Sequence, residues 1–145
     1  MIKIICIGKI KEKYLNDLIN DYKTRISKYH KIEIIELKDS NIEEESKEIS
    51  KYLNDKDYNI CMDIKGEMFN SIDLSNLIKD TFTNSYGNIC FIIGGSTGLD
   101  DSIKKRCNKL LSFSKLTFPH GLFRGFLIEQ IYRSFKILNN ETYHK

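Results

Sequence analysis

The stretch Asn88-Ile89-Cys90-Phe91-Ile92-Ile93-Gly94-Gly95-Ser96-Thr97-Gly98-Leu99 carries five successive apolar residues straight into a glycine-rich turn. An uninterrupted apolar run of that length reads as a strand buried on both faces, which is the mark of a parallel sheet covered by helices. Working outward, Tyr58–Ile64 reads as another strand ending at Gly66, and Ile2–Ile7 and Ile32–Leu37 are two more. Leu110–Phe118 is expected to form a fifth strand, closed by the chain's only proline, Pro119. Between them lie helical patterns. Leu15, Leu18, Ile19, Tyr22 and Ile26 keep one face through Lys13–Tyr29, and Ile72–Phe82 is amphipathic. Asn41 caps a helix to about Leu53 with Glu43, Glu44 and Glu45 in its first turn. Asp100–Asn108 is expected as a short helix and Gly121–Leu138 as a final one, leaving Asn139–Lys145 as a tail. Strands alternating with helices predict a single α/β domain over residues 1–145 with a mostly parallel sheet.

Composition narrows the function classes. With 145 residues, 41% hydrophobic and 30% charged, the chain suits one soluble globular domain. No apolar run nears the roughly 20 residues of a membrane helix, and the short opening Met1–Gly8 lacks a cleavage site. A cytoplasmic protein with no membrane partner is the expectation. Cys6, Cys61, Cys90 and Cys107 form no C-x-x-C pair and are read as packing thiols; His30, His120 and His144 form no metal motif, so no metal is expected. From Ser114 onward, Lys115, Arg124, Arg133, Lys136 and Lys145 oppose only Glu129 and Glu141, so this last fifth carries the whole net charge of +3. A basic end suits a polyanion such as RNA, although a solvated helix face explains it equally well.

Three segments carry candidate chemistry. The Gly94–Gly98 loop follows the most apolar strand, where open parallel sheets bind ligands. It is neither a P-loop nor a dinucleotide fingerprint, because no Gly-Lys-Ser/Thr follows and the first strand ends on Gly8 alone. Leu111-Ser112-Phe113-Ser114-Lys115-Leu116-Thr117-Phe118-Pro119-His120 alternates polar and apolar residues before its proline. The last segment places Arg124, Glu129 and Arg133 on one helix and ends in Tyr143-His144-Lys145. Glu129 and Arg133 are spaced to pair, whereas Arg124, nine positions earlier, points about the opposite way. Each segment alone is consistent with ordinary punctuation. A flavodoxin-like nucleotide-binding module or a non-enzymatic ribosome-associated protein would share the alternating pattern.

Taken together, in this order and spacing, the three segments closely resemble the RlmH-type SPOUT methyltransferases, the pseudouridine-methylating family of the large ribosomal subunit. The opening Ile2–Ile10 and the middle Asp63-Ile64-Lys65-Gly66-Glu67 join the resemblance, which spans essentially the whole chain. Gly121, Gly125 and Thr142 depart from the family pattern. The resemblance implies a C-terminal trefoil knot, an exception to the usual avoidance of knots. It implies S-adenosyl-L-methionine held in that knot by Met62, Gly94, Gly95, Phe113, Ser114, Lys115, Leu116, Thr117 and Phe118. It further implies a homodimer whose partner completes each site. The implied reaction methylates N3 of a pseudouridine in helix 69 of the 23S ribosomal RNA, on assembled ribosomes. His144 is the expected general base, with Tyr143 orienting the ring and Arg133 stabilising its charge. Arg124, His120 and Lys145 are expected to hold the RNA substrate.

Overall fold

A computed structural model describes residues 1–145. The apolar runs form β1 (Ile2–Ile7), β2 (Ile32–Leu37), β3 (Tyr58–Met68), β4 (Ile89–Ile93) and β5 (Lys109–Ser112). The amphipathic stretches form α1 (Lys13–Ser27), α2 (Ile42–Ser50), α3 (Ser71–Thr83), α4 (Asp101–Arg106) and α5 (His120–Leu138). The strands lie in the order β2-β1-β4-β3-β5, and every neighbouring pair is parallel. Period-two alternation distributes their side chains between two cores. Ile4, Cys6, Ile60 and Phe91 face α1, α3 and α5, whose Ile19, Ile78 and Ile131 complete the larger core. Ile5, Ile7, Cys61 and Ile92 face α2 and α4, whose Ile49 and Ile103 complete the smaller one. All five residues of β4 are buried, as the apolar run predicts for a central strand covered on both faces.

Asn41 caps α2 by accepting from the Glu44 backbone N–H at 2.9 Å, as expected. Asn70 and Asp73 form a capping box on α3, and Asp100 caps α4. The sequence reading needs correction along the chain: α1 ends at Ser27 and α2 at Ser50, each earlier than expected. β5 stops at Ser112, not Phe118, because the Ser112 hydroxyl donates to the Ser114 carbonyl and the Ser114 hydroxyl accepts from the Leu116 N–H. These local bonds turn the backbone out of the sheet. β3 runs on to Met68, but Met62 and Glu67 both face Leu111, so residues 63–66 bulge from the ladder. α4 ends at Arg106, two residues short of the expectation. Finally, Cys61 and Cys107 form a disulfide, their Cα atoms 6.1 Å apart. A separation of 46 residues in the chain gave no hint of that contact. Cys6 and Cys90 are buried free thiols, pushed up by burial to about 11 and about 12, and serve as packing groups.

Candidate active site

At the carboxyl edge of the sheet, the bulge after Met62, the loop after β4 and the loop after β5 surround one cleft of about 350 Å³. The glycine loop is tight: Gly98 donates its N–H to the Gly95 carbonyl at 3.0 Å and has φ +80°. Gly94 lies so close beneath this turn that an added Cβ would meet the Gly98 carbonyl carbon at 2.7 Å. Both positions therefore need glycine, for backbone conformation at Gly98 and for close approach at Gly94. Met62, Gly94, Gly95, Phe113, Ser114, Leu116, Thr117 and Phe118, expected around the cofactor, all line this cleft. Lys115, expected with them, is exposed and is not among its lining residues. His120, expected at the substrate, also faces the cleft from the first turn of α5.

The cleft has an apolar floor from Ile93, Leu99, Leu111 and Phe123, and its walls are irregular backbone whose N–H and C=O groups lie outside the strand ladders. Such a surface suits a flat heteroaromatic ring with a few directed polar contacts. Asp63 supplies one charge at the rim. Burial opposes its ionisation, but the Lys65 N–H and the Lys104 ammonium at 2.9 Å hold its carboxyl below the usual range. Sequence reading quoted Asp63 as part of a motif without giving it a role, because nothing in the sequence reveals the bulge that turns it into the cleft.

The terminal residues gather elsewhere. α5 ends in a Schellman motif: Glu141 N–H donates to the Lys136 carbonyl and Asn140 N–H to that of Ile137, with Asn140 at φ +55°. This turn folds the tail back along α5. Tyr143 packs edge-on against Tyr132 at 4.9 Å and donates its hydroxyl to Glu129 at 3.0 Å. Arg133 grips the same Glu129 oxygen through Nε at 3.0 Å and Nη2 at 2.7 Å, so the pair anticipated from the spacing is present. The Arg133 Nη1 lies 3.1 Å from Nδ1 of His144. A guanidinium can only donate, so His144 Nδ1 accepts here and the imidazole proton sits on Nε2. Burial, and after it the bonds to Tyr22 and Glu129, push the Tyr143 phenol well above its usual range. Tyr143 is thus a donor. Lys145 is exposed beside this cluster's end of the chain. Tyr143, His144, Lys145 and Arg133 do not line the glycine-loop cleft; Glu129 borders a separate hollow formed with Phe113, Ser114 and Phe118.

Arg124 lies at the other end of α5, only 3% exposed. Its Nη1 donates to Glu36 at 2.6 Å, and its Nη2 donates to the Gly8 carbonyl at 3.1 Å. It therefore ties α5 to the ends of β1 and β2, and the opposite facing of Arg124 and Arg133 is as the helical spacing predicts. Sequence reading missed Glu36, which anchors Arg124, whereas it anticipated Glu129 as the partner of Arg133. Only Glu129, at i−4 from Arg133, carried a signal.

A family model described as "Predicted SPOUT methyltransferase" matches residues 1–144. Proteins named "Ribosomal RNA large subunit methyltransferase H" are similar over 99% of this chain and 99% of their own length. They include one from Clostridium botulinum (strain Alaska E43 / Type E3) at 46% identity and one from Clostridium acetobutylicum at 44%. Among solved structures, a probable methylase family protein from Haemophilus influenzae Rd KW20 superposes with a TM-score of 0.60 at 11% identity. That match covers 99% of this chain and 70% of the other. A ribosomal RNA small subunit methyltransferase E from Neisseria gonorrhoeae, bound to S-adenosyl methionine, reaches 0.53 at 9% identity over 94% of this chain and 66% of its own. These distant likenesses bear on the fold alone. The full-length match and the close relatives show that the chain belongs to the SPOUT methyltransferase family, within the group named ribosomal RNA large subunit methyltransferase H.

Proposed function

We propose that the chain methylates N3 of a pseudouridine in helix 69 of the 23S ribosomal RNA, in the cytoplasm, on assembled ribosomes. The carrying observation is that the glycine loop and the Phe113–Phe118 loop, 15 or more residues apart in sequence, close on one cleft with Met62 and His120. That donor set fits S-adenosyl-L-methionine: an apolar slot for adenine and unpaired backbone groups for its polar edges. When bound, the cofactor supplies an electrophilic methyl group on a sulfonium. The C-terminal loops that hold it belong, in this reading, to a trefoil knot.

The protein's own tasks are alignment and handling of one imide proton. Arg133 and Lys145 are cationic groups for the negative charge on a deprotonated ring or for phosphate. In the docked position His144 offers an N–H, suited to a ring carbonyl; to act as base it must first leave Arg133. Tyr143, kept protonated, orients the ring and does not abstract the proton. Because the tail cluster and the cleft are separate within one chain, the reading takes the protein as a homodimer in which a partner's tail meets this cleft. Tyr14, Leu18, Leu122 and Phe126, exposed apolar residues on the packed pair α1 and α5, support such an interface. The test is radiolabelled methyl transfer to ribosomes from cells lacking this modification. Label in the large-subunit RNA, mapped to that pseudouridine, is expected. Folded protein that binds the cofactor yet leaves the RNA unlabelled overturns the reading.

A further inference from the structure

The disulfide between Cys61 and Cys107 lies beside the cofactor cleft. Cys61 directly precedes Met62 and Asp63, which line that cleft, and packs in the smaller core with Ile103 and with Leu99 of the cleft floor. Cys107 closes α4, the helix that follows the glycine loop and carries Lys104, whose ammonium holds Asp63 at 2.9 Å. The bond therefore ties the wall that bears Met62 to the helix that leads out of the glycine loop. Beyond Cys107 the chain is fixed. Asn108 donates its N–H to the Asn59 carbonyl at 2.7 Å, and its side chain accepts from the Asn59 N–H at 2.7 Å. α4 is held less firmly, as six residues of which only Ile103 is buried. A displacement at Cys107 thus passes into α4 and Lys104, one turn back, and not into β5.

We infer that Cys61 and Cys107 form a reversible thiol–disulfide switch that sets the affinity of the cleft for its cofactor through α4. The inference rests on the cytoplasmic, S-adenosyl-L-methionine-binding part of the function proposed above. Disulfides in a reducing cytoplasm are mostly transient, and catalytic or redox-sensing in role. The two sulfurs differ in access: Cys61 is fully buried, whereas Cys107 is half-buried. A small thiolate therefore attacks Cys107 Sγ; the S–S bond breaks, and its electron pair leaves with Cys61 Sγ, which takes up a proton. A second small thiol resolves the mixed disulfide on Cys107, restoring the Cys107 thiol and releasing a small-molecule disulfide. In sum, two small thiols supply two electrons and two protons. The reduced Cys61 thiol has an acceptor in place, the Ile103 carbonyl 4.0 Å away, so the core accommodates both states. Cys6 and Cys90 are buried and offer no rival partner. Freed sulfurs in van der Waals contact stand farther apart than bonded ones, so reduction moves the end of α4 away from β3. The Asp63–Lys104 pair and the Leu99 floor loosen with it, and the cofactor binds less tightly.

The experiment equilibrates the full-length protein in a graded series of reduced and oxidised glutathione, with and without saturating S-adenosyl-L-methionine. Thiol alkylation followed by mass spectrometry reads the oxidised fraction, and calorimetry measures cofactor affinity at the two extremes. Reduction should weaken cofactor binding about tenfold, within the range common for coupled sites. By linkage, saturating cofactor must then shift the thiol–disulfide equilibrium toward the disulfide by the same factor, about tenfold. Cys107→Ser should bind like reduced wild-type protein in every buffer. Lys104→Ala, which cuts the ion pair to Asp63, should narrow the difference between oxidised and reduced protein. The wild-type titration decides the matter without any variant. Thiols that stay free in excess oxidised glutathione, or a cofactor affinity equal in both states, overturn the inference and leave the proposed methyl transfer standing. Cofactor binding in neither state overturns both.

Discussion

Replacing Glu129 by glutamine tests whether the terminal residues are held as a unit. The Glu129 Oε1 accepts three hydrogen bonds, from Arg133 Nε and Nη2 and from the Tyr143 hydroxyl. Bonds to a charged acceptor contribute about 1.5–3 kcal/mol and neutral ones about 1 kcal/mol. Glutamine keeps the shape and one acceptor oxygen; the charge assistance is lost, together with the bond that Gln130 Nε2 donates to Oε2 at 3.0 Å. The pair is 25% and 19% exposed, which screens the effect. A net cost of about 1.4 kcal/mol to tail docking is a reasonable scale, tenfold in the ratio of docked to free tail. Ring-to-ring Overhauser contacts between Tyr143 and Tyr132, whose centroids are 4.9 Å apart, report docking directly. Those contacts should weaken in Glu129→Gln, while the urea midpoint of global unfolding shifts little because the tail adds little to either core. Undiminished contacts would refute the anchoring role. A large fall in the global midpoint would show that Glu129 supports the fold and not the tail.

Deleting Tyr143–Lys145 should abolish methyl transfer while leaving cofactor affinity, read by calorimetry, within about twofold, since none of the three lines the cleft. Gly94→Val should cost about 1–3 kcal/mol in unfolding and cofactor binding with it, because its Cβ meets the Gly98 backbone. Wild-type stability in that variant would refute the close approach. Two carboxyls should give opposite pH signatures. Asp63 is held below its unfolded value, so its stabilisation is present above that value, near 3.8, and is lost as pH falls through the lower folded value. Asp63→Asn should therefore destabilise at pH 7 and become neutral at strongly acid pH. Burial, only partly offset by the Ser40 N–H, and then the bond to Asp39 raise Glu45, so its contribution is favourable below the unfolded value near 4.5 and is lost as pH rises. Glu45→Gln should thus gain stability at neutral pH relative to acid, and urea melts across the pH range check both signs.

The fold was legible because hydrophobic period and cap chemistry are local. Ile89–Ile93 announced a doubly covered strand, and Asn41 its helix start, without reference to distant residues. What failed was non-local. Period-two alternation through Ser112–Phe118 mimicked a strand, yet two serine hydroxyls bonded to nearby backbone end the ladder at Ser112. The disulfide joins the interior of β3 to the residue that closes α4, 46 residues on in the chain. The bulge after Met62 depends on how β3 meets β5, which no single segment records.

The same distinction divides the candidate site. Residues on one loop moved together, so eight of the nine expected cofactor contacts line one cleft, and the exposed Lys115 stands outside it. Residues expected to act with them from the chain's end did not arrive, because Asn140 reverses the backbone and Glu129 holds the tail on the flank of α5. An active site whose cleft and whose ionisable tail occupy different places in one chain has two ways to unite them: the tail moves, or a second chain supplies its own. The exposed Tyr14, Leu18, Leu122 and Phe126 lie along the first two turns of the packed pair α1 and α5. A second copy that supplies its own tail to this cleft has no need to break the Glu129 anchor. Anchoring and composite assembly are thus compatible. If instead the tail had to detach, weakening the Glu129 contacts would raise turnover, and the direction of that change separates the two routes.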